Sequence, residues 1–457
     1  MHLFTLAQQQ HVYGFEGRTS EVIFIGGFGL MVVVAMLVAR MSFRNWLLAG
    51  MLFVTCIAPS VDTTGERFNP TWMFWTQYHH ADLHLALGVF LSIVVAAGGA
   101  LSLRQISAQG VILFFMAIYA GLLQFYHDDA QTALEAIGFA IATIPCFVFA
   151  IGRAVRTHEG VWGLLRTIMW VSVLWAFCSS VQFVINPKYM LSWGGRFYGM
   201  LGNAQHAAVM VAPMAVIALW LSMNDTVKRR KILWIALIAI NMLFLGWTGS
   251  RTGGMMFIIG VSVVLYRRLG SAVLLMPLAA LMLWGLAYLA DALSIDSNLA
   301  RFLSTENTRP SVISSQLHAA LESPLLGVGW RNDFIASENS YFGGLGAYGI
   351  GYFLLILCLV GVSMWQCFRF NVQKKWIARE HRPLIDLFTA FNLMFFAGAT
   401  FEGYLLARSF VPTLMLMVFA AIGLWIRDEI AANQAASADH AMLQEELEYG
   451  EIQLAHE

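Results

Sequence analysis

Arg251 sits in "GWTGSRTGG", Gly246 to Gly254, between two long apolar runs, where hydropathy alone gives no reason for a permanent cation. Two readings follow from its neighbours. In the first, a helix opens at Ser250–Arg251, capped by Thr248 or Ser250, and its first-turn N–H groups attract an anion. The guanidinium adds a planar fork of donors suited to phosphate, and Gly249, Gly253 and Gly254 leave room for a bulky group. In the second, Arg251 snorkels its head to a membrane interface while the glycines pack helices together. These residues leave both open.

Other groups with chemical potential lie in a long polar stretch, residues 294–346. It holds Arg301, Arg309 and Arg331, the carboxylates Asp296, Glu306, Glu322, Asp333 and Glu338, and His318. Arg196 lies in a shorter polar stretch, Asn186 to Asn203. Each has a plainer reading. Arg309 and Arg331 can pair with Glu306 or Asp333, Glu338 can cap or charge the start of the following helix, and His318 can be exposed polar surface. The clusters "HHADLH" (His79 to His84) and "HDDAQ" (His127 to Gln131) match no metal-ligand spacing. They read as interfacial polar loops, and no metal or other cofactor is expected.

The elements that must position these groups are membrane helices. Apolar residues make up 59% of the 457-residue chain and charged residues 12%, against roughly half and a quarter in a soluble domain. The apolar residues fall into about thirteen runs of roughly 17 to 22, the length needed to cross a bilayer as a helix. Among them are Trp46 to Val61, a short one, and Leu134 to Ile151, Ala347 to Phe368 and Leu384 to Leu406. The expected fold is all-α: a polytopic membrane helix bundle of about twelve or thirteen transmembrane helices. It forms one integral membrane domain over 1–457, with one long extracytoplasmic loop at 294–346 and a polar, partly helical cytoplasmic tail at 427–457. The five cysteines lie in or at the ends of the runs, so no disulfide framework is implied. The first twenty or so residues lack the basic start and apolar core of a cleavable signal, so the first span is expected to direct insertion. A formal net charge of zero and the absence of a basic tract give no indication of nucleic acid.

With the N-terminus outside, about two thirds of the 27 lysines and arginines fall in loops assigned to the cytoplasm, including Lys228 to Lys231, Lys374 and Lys375. That fits the positive-inside rule. Arg196, Arg251, Arg309 and Arg331 then face outward, where no rule of insertion calls for them. The chemistry is expected on that face.

Four features of the central and C-terminal parts resemble marks of one family. "SR" opens a helix at Ser250–Arg251; Arg309 precedes "PLLGVG" at Pro324 to Gly329; Glu338–Asn339 precedes Gly349 and Tyr352; and "RFYGMLGNAQHAA" starts at Arg196. In this order the chain resembles the O-antigen ligase and polymerase superfamily, multi-span bacterial enzymes acting on lipid-linked polysaccharide. The motif resemblance runs over about Arg196 to Phe368, and elsewhere it is one of hydropathy alone.

The resemblance implies metal-independent glycosyl transfer from an undecaprenyl-pyrophosphate-linked oligosaccharide, at the outer face of the bacterial cytoplasmic (inner) membrane. Arg251, Arg309, Arg331 and Arg196 would then hold the pyrophosphate, whose charge grows as the glycosidic bond breaks. Glu338 would take the proton of the acceptor hydroxyl, with His318 as an alternative base. The family's ligases carry histidine where this chain has Glu338, which favours a polymerase of exopolysaccharide or O-antigen over a ligase delivering glycan to lipid A core or protein. Membrane lipid and a chain-length regulator or export proteins are the expected partners. A transporter or flippase is the reading from another class. Transporters, however, carry ionisable residues and broken helices at midplane, whereas these runs are nearly free of charge.

Overall fold

A computed structural model describes residues 42–57, 72–73, 76–77, 79–97, 106–127, 130–191, 195–270, 309–329, 338–406 and 410–454. Among these the structure is helical, with one isolated antiparallel bridge between Leu191 and Phe197 and no strand. The helices are α1 (Phe43–Ile57), α2 (His80–Ala97), α3 (Ala108–Tyr126), α4 (Ala130–Gly138), α5 (Ile144–Ala154), α6 (His158–Ile185), α7 (Ala204–Asn224), α8 (Lys228–Thr248), α9 (Arg251–Leu269), α10 (Arg309–Glu322), α11 (Ser340–Val372), α12 (Arg382–Ala399) and α13 (Val411–Leu454). The apolar runs Val22 to Ala39 and Ser271 to Leu293, together with the candidate Arg331, lie outside the described residues.

Among the described residues six stretches are long and apolar enough to cross a membrane: Ala108–Tyr126, Ala136–Ala154, His158–Ile185, Ala204–Asn224, Lys228–Thr248 and Ser340–Trp376. The chain is a helix bundle of membrane type. Its outer surface carries large apolar side chains, such as Ile232, Ile235 and Leu243 on α8 and Leu354 on α11, each more than half exposed. A surface of this kind suits a hydrocarbon solvent.

Helix α7 is buried on nearly all sides, as a helix apolar all round should be. It packs against α6, α8, α9 and α12. Small residues set the α7–α9 spacing. A Cβ on Gly253 would stand 2.7 Å from the Ala208 methyl, and one on Gly260 would stand 2.7 Å from a Val216 methyl. On the other side α11 packs on α3, α10 and α12.

Two apolar runs turn out to be less regular than hydropathy suggests. Leu134 to Ile151 is interrupted by a π-helical turn, Phe139–Thr143, before α5. Leu384 to Leu406 stops being helical at Ala399, and 400–406 forms a turn. The polar tail, in contrast, continues α13 to Leu454.

The two ends of the bundle differ. At one, Asp225 accepts from the Trp234 indole at 3.2 Å and faces Arg166 at 3.8 Å, Lys374 pairs with Asp386, and His158 stacks on His381 at 3.9 Å. The other holds the starts of α7, α9, α11 and α13 and the ends of α8 and α12.

A candidate anion and general-base site

That second end is assembled from helix caps. Ser250 caps α9, its Oγ accepting from Gly253 N at 3.3 Å. Thr248, the other candidate cap, belongs to α8: its hydroxyl donates to Leu245 O at 2.7 Å and accepts from Ser250 N at 3.2 Å. Between them Gly249, at φ +59°, makes the left-handed turn that ends α8. Gly249 and Gly253 therefore have structural duties, one turning the chain and the other seating α9 on α7. Arg251 opens α9 with its side chain exposed.

Arg196 comes to the same turn. Its Nε donates to Thr248 O at 2.8 Å, three residues before Arg251, and Phe197 N donates to Trp247 O at 3.2 Å. The segment is anchored by Phe197, 1% exposed, which stacks on Phe244 at 4.5 Å and on Trp247 at 5.5 Å. Gly199, at φ +60°, lies so close to the Trp175 ring that a Cβ would stand 2.4 Å from it. An aromatic cluster thus holds Arg196 across the end of α8.

The "PLLGVG" and Gly349 motifs form one unit. Gly349 breaks α11 at φ 75° and ψ −173°, a region open essentially to glycine alone. The break exposes backbone groups that must be satisfied inside a membrane, and residues 324–329 satisfy them. Val328 N donates to Gly346 O at 2.9 Å, Gly329 N to Ala347 O at 3.0 Å, and Ile350 N to Pro324 O at 2.8 Å. Side chains at Gly327 or Gly349 would collide with backbone atoms of the opposite segment.

Glu338 stands two residues before the start of α11. The N-cap is its neighbour Asn339, whose Oδ1 accepts from Tyr341 N at 2.8 Å and Phe342 N at 2.9 Å. The capping reading of Glu338 therefore passes to Asn339. Glu338 is half-buried, and its Oε2 is shielded and takes no hydrogen bond among the described residues.

The corner at Glu338 is clamped to the turn after α12. Asn339 Nδ2 donates to Thr400 O at 2.7 Å, Ser340 Oγ donates to Glu402 O at 2.6 Å, and Leu405 N donates back to Ser340 Oγ at 3.2 Å. α12 packs on α9, and a Cβ at Gly398 would stand 2.5 Å from Met256 Sδ and 2.6 Å from the Tyr404 hydroxyl oxygen. Met256 lies five residues after Arg251. The chain of contacts runs from Arg196 through Thr248 and α9 to the Glu338 corner, all at one end of the bundle.

The remaining candidates lie around this arrangement. Arg309 is the first residue of α10, which packs along α11. His318 is on an exposed part of α10, 3.4 Å from Glu322. His127 contacts the 324–329 segment, its ring 3.4 Å from Leu326 O. Among the described residues no group of three or more His, Cys, Asp or Glu side chains is placed to hold a metal ion.

Sequence reasoning passed over Glu402. It is 1% exposed, in a run read as a plain span, yet its turn carries the hydrogen bonds that fix the start of α11. The signal was a single acid in "TFEGYLL": an ionisable residue within a membrane segment is costly to bury and marks a site by default.

The chain matches no protein-family model and no curated protein sequence.

Proposed function

We propose that this chain is a polysaccharide polymerase: a glycosyltransferase joining undecaprenyl-pyrophosphate-linked repeat units into exopolysaccharide or O-antigen at the outer face of a bacterial cytoplasmic membrane. The observation that carries this reading is that one end of the bundle holds both Arg251 and Arg196, at the turn Thr248–Arg251, and a carboxylate at the Glu338 corner. An anionic leaving group and an acceptor hydroxyl need those two kinds of group, on opposite sides of one reacting carbon.

In the proposed reaction the acceptor hydroxyl oxygen attacks the anomeric carbon of the donor sugar. The bond from that carbon to the pyrophosphate oxygen breaks, and its electron pair leaves with the carrier pyrophosphate. Arg251 and Arg196, with Arg309 and Arg331 from the 294–346 segment, stabilise the growing negative charge. Glu338 takes the hydroxyl proton. Glu338 fits this task better than Glu402 because it is only partly buried, whereas a carboxylate 1% exposed is out of reach of a sugar hydroxyl.

The reading carries a topology: about thirteen crossings, the N-terminus and residues 294–346 outside, and the tail from Arg427 inside. The positive-inside pattern supports it. On the described helices, Lys228 to Lys231, Lys374, Lys375, Arg382 and Arg427 all lie at or near the Asp225 end. Deleting the gene and analysing surface polysaccharide tests the function. Loss of long chains with accumulation of single lipid-linked repeats supports a polymerase. Long lipid-linked chains that accumulate without reaching an acceptor would replace it with the ligase, and unchanged polysaccharide would end both.

A further inference from the structure

A crevice of about 220 Å³ lies between α11 and α13 toward the Asp225 end, remote from the Arg251 turn. Its long sides are apolar, formed by Val362 on α11 and Leu424 on α13, and Gly423 beside them packs against Phe388, where a Cβ would stand 2.8 Å from the ring. One end is lined by Arg369 from α11 and Arg427 from α13. Arg369 Nε donates to Gln373 Oε1, just past the end of α11, at 3.2 Å, and Arg427 donates to the adjacent Asp428 at 2.9 and 2.8 Å. Asp428 is itself 64% exposed, so its charge is largely screened by its surroundings. Two guanidinium groups therefore line one small space, and no acid is among the other residues lining it.

The third polar group in the crevice is Gln366. Its Oε1 is taken by the Nε2 of Gln109, a fully buried residue on α3, at 2.6 Å. The amide group that Gln366 has left to offer is its N–H donor. The polar end of the crevice thus presents donors and positive charge, with Asp428 at its rim. The complementary group is an anion with several acceptor oxygens, which a phosphate supplies. The apolar walls continue onto the outer surface of the bundle, where Trp365, 62% exposed, borders the crevice. An occupant with a phosphate at one end and a hydrocarbon chain at the other matches both parts.

We propose that this crevice seats one anionic phospholipid, its phosphate between Arg369 and Arg427 and one acyl chain along Val362 and Leu424. A phosphate seated there gives Arg369 an anionic partner beside the Arg427–Asp428 pair. The proposal does not depend on the polymerase reading, since it uses neither Arg251 nor Glu338.

The test is native mass spectrometry of the full chain released from nanodiscs of phosphatidylcholine mixed with phosphatidylglycerol. The wild type should retain one phosphatidylglycerol in preference to phosphatidylcholine. Each arginine near an anionic surface contributes about five-fold, so Arg369→Gln combined with Arg427→Gln should reduce that preference by roughly thirty-fold. Arg229→Gln combined with Arg230→Gln, at the same end of the bundle but outside the crevice, should leave it unchanged. Thermal melting in phosphatidylcholine alone should be the same for all three proteins, which separates lost binding from lost fold; Arg369→Lys with Arg427→Lys, which keeps the charge, provides a second folded comparison and should retain most of the preference. Equal retention by the crevice double variant and the wild type would overturn the proposal. So would an equal loss in the Arg229 and Arg230 control, which would reduce the effect to general surface charge, or the retention of a zwitterionic lipid or a second copy of the chain in place of the anionic one.

Discussion

Ser340 Oγ donates a 2.6 Å hydrogen bond to the backbone carbonyl of Glu402, across sixty-odd residues of sequence. Through this bond and its neighbour from Asn339 to Thr400, the turn after α12 fixes where α11 begins and hence where Glu338 stands. The position of the proposed base is determined by backbone contacts that Glu338 does not itself make.

This arrangement separates activity from stability at adjacent positions. Glu338→Gln should lower turnover by about 10² to 10⁴, the usual contribution of a general base, and leave thermal stability unchanged because Asn339 does the capping. Asn339→Ala should do the reverse in part, costing about 1 kcal/mol for the lost cap and more where its Nδ2 bond to Thr400 is lost. Melting temperatures and turnover of both variants check this. A large loss of stability in Glu338→Gln would return that residue to a structural role.

Glu402 supplies the contrast. Its fixed contacts to α11 run through its carbonyl, which Glu402→Gln preserves, and neutralising a buried charge is often harmless to stability. Turnover in Glu402→Gln should fall by less than ten-fold, well short of the general-base range. A loss equal to that of Glu338→Gln would move the base to Glu402.

Arg251 should tolerate no substitute. A lysine has charge but no planar fork, so Arg251→Lys and Arg251→Ala should both insert normally and lose activity. Arg196→Ala should lose stability as well as activity, because its Nε holds the Thr248 carbonyl at the end of α8. Full activity in Arg251→Lys would favour a snorkelling arginine.

Gly349→Ala should be among the most damaging single changes in the chain. A Cβ there would stand 2.2 Å from Leu325 O, in a backbone conformation that costs an L-residue about 1–3 kcal/mol even in open space. The expected outcome is poor accumulation of folded protein in detergent, measured by size-exclusion chromatography. Gly361→Ala on the same helix, where a Cβ meets nothing within 4 Å, should behave as wild type.

What the sequence made legible was governed by the bilayer. Long apolar runs follow from the thickness of hydrocarbon, and most of those in the described residues contain helices. Hydropathy is blind to what happens within a run, and so it missed the π-turn at Phe139–Thr143 and the end of α12 at Ala399. Ser250 was readable as a cap because Ser before a helix has a local mechanism. The same preference should have assigned the start of α11 to Asn339, since Asn outranks Glu at that position. The union of the "PLLGVG" segment with the Gly349 break was not legible, because it depends on backbone groups twenty or so residues apart finding one another in space. Arg331 and the side chain of Arg309 lie outside the described residues, so their part in the site stays with the motif resemblance.

The topology has its own check. Cysteines introduced at Ser294 and Ser337 should react with an impermeant thiol reagent added outside intact cells, above the wild-type background, and one at Gln373 should not. The reverse pattern would place the Arg251 end inside and remove the proposed site from the outer face.

The central claim is glycosyl transfer from a carrier pyrophosphate, and purified protein tests it most directly. The wild type, reconstituted in liposomes with an undecaprenyl-pyrophosphate-linked repeat unit of the host polysaccharide, should produce a ladder of longer lipid-linked chains while releasing carrier pyrophosphate in step. Arg251→Ala and Glu338→Gln should leave the single repeat unextended. A wild-type protein that extends no chain and releases no carrier, in liposomes where the folded protein is verified, would contradict the account.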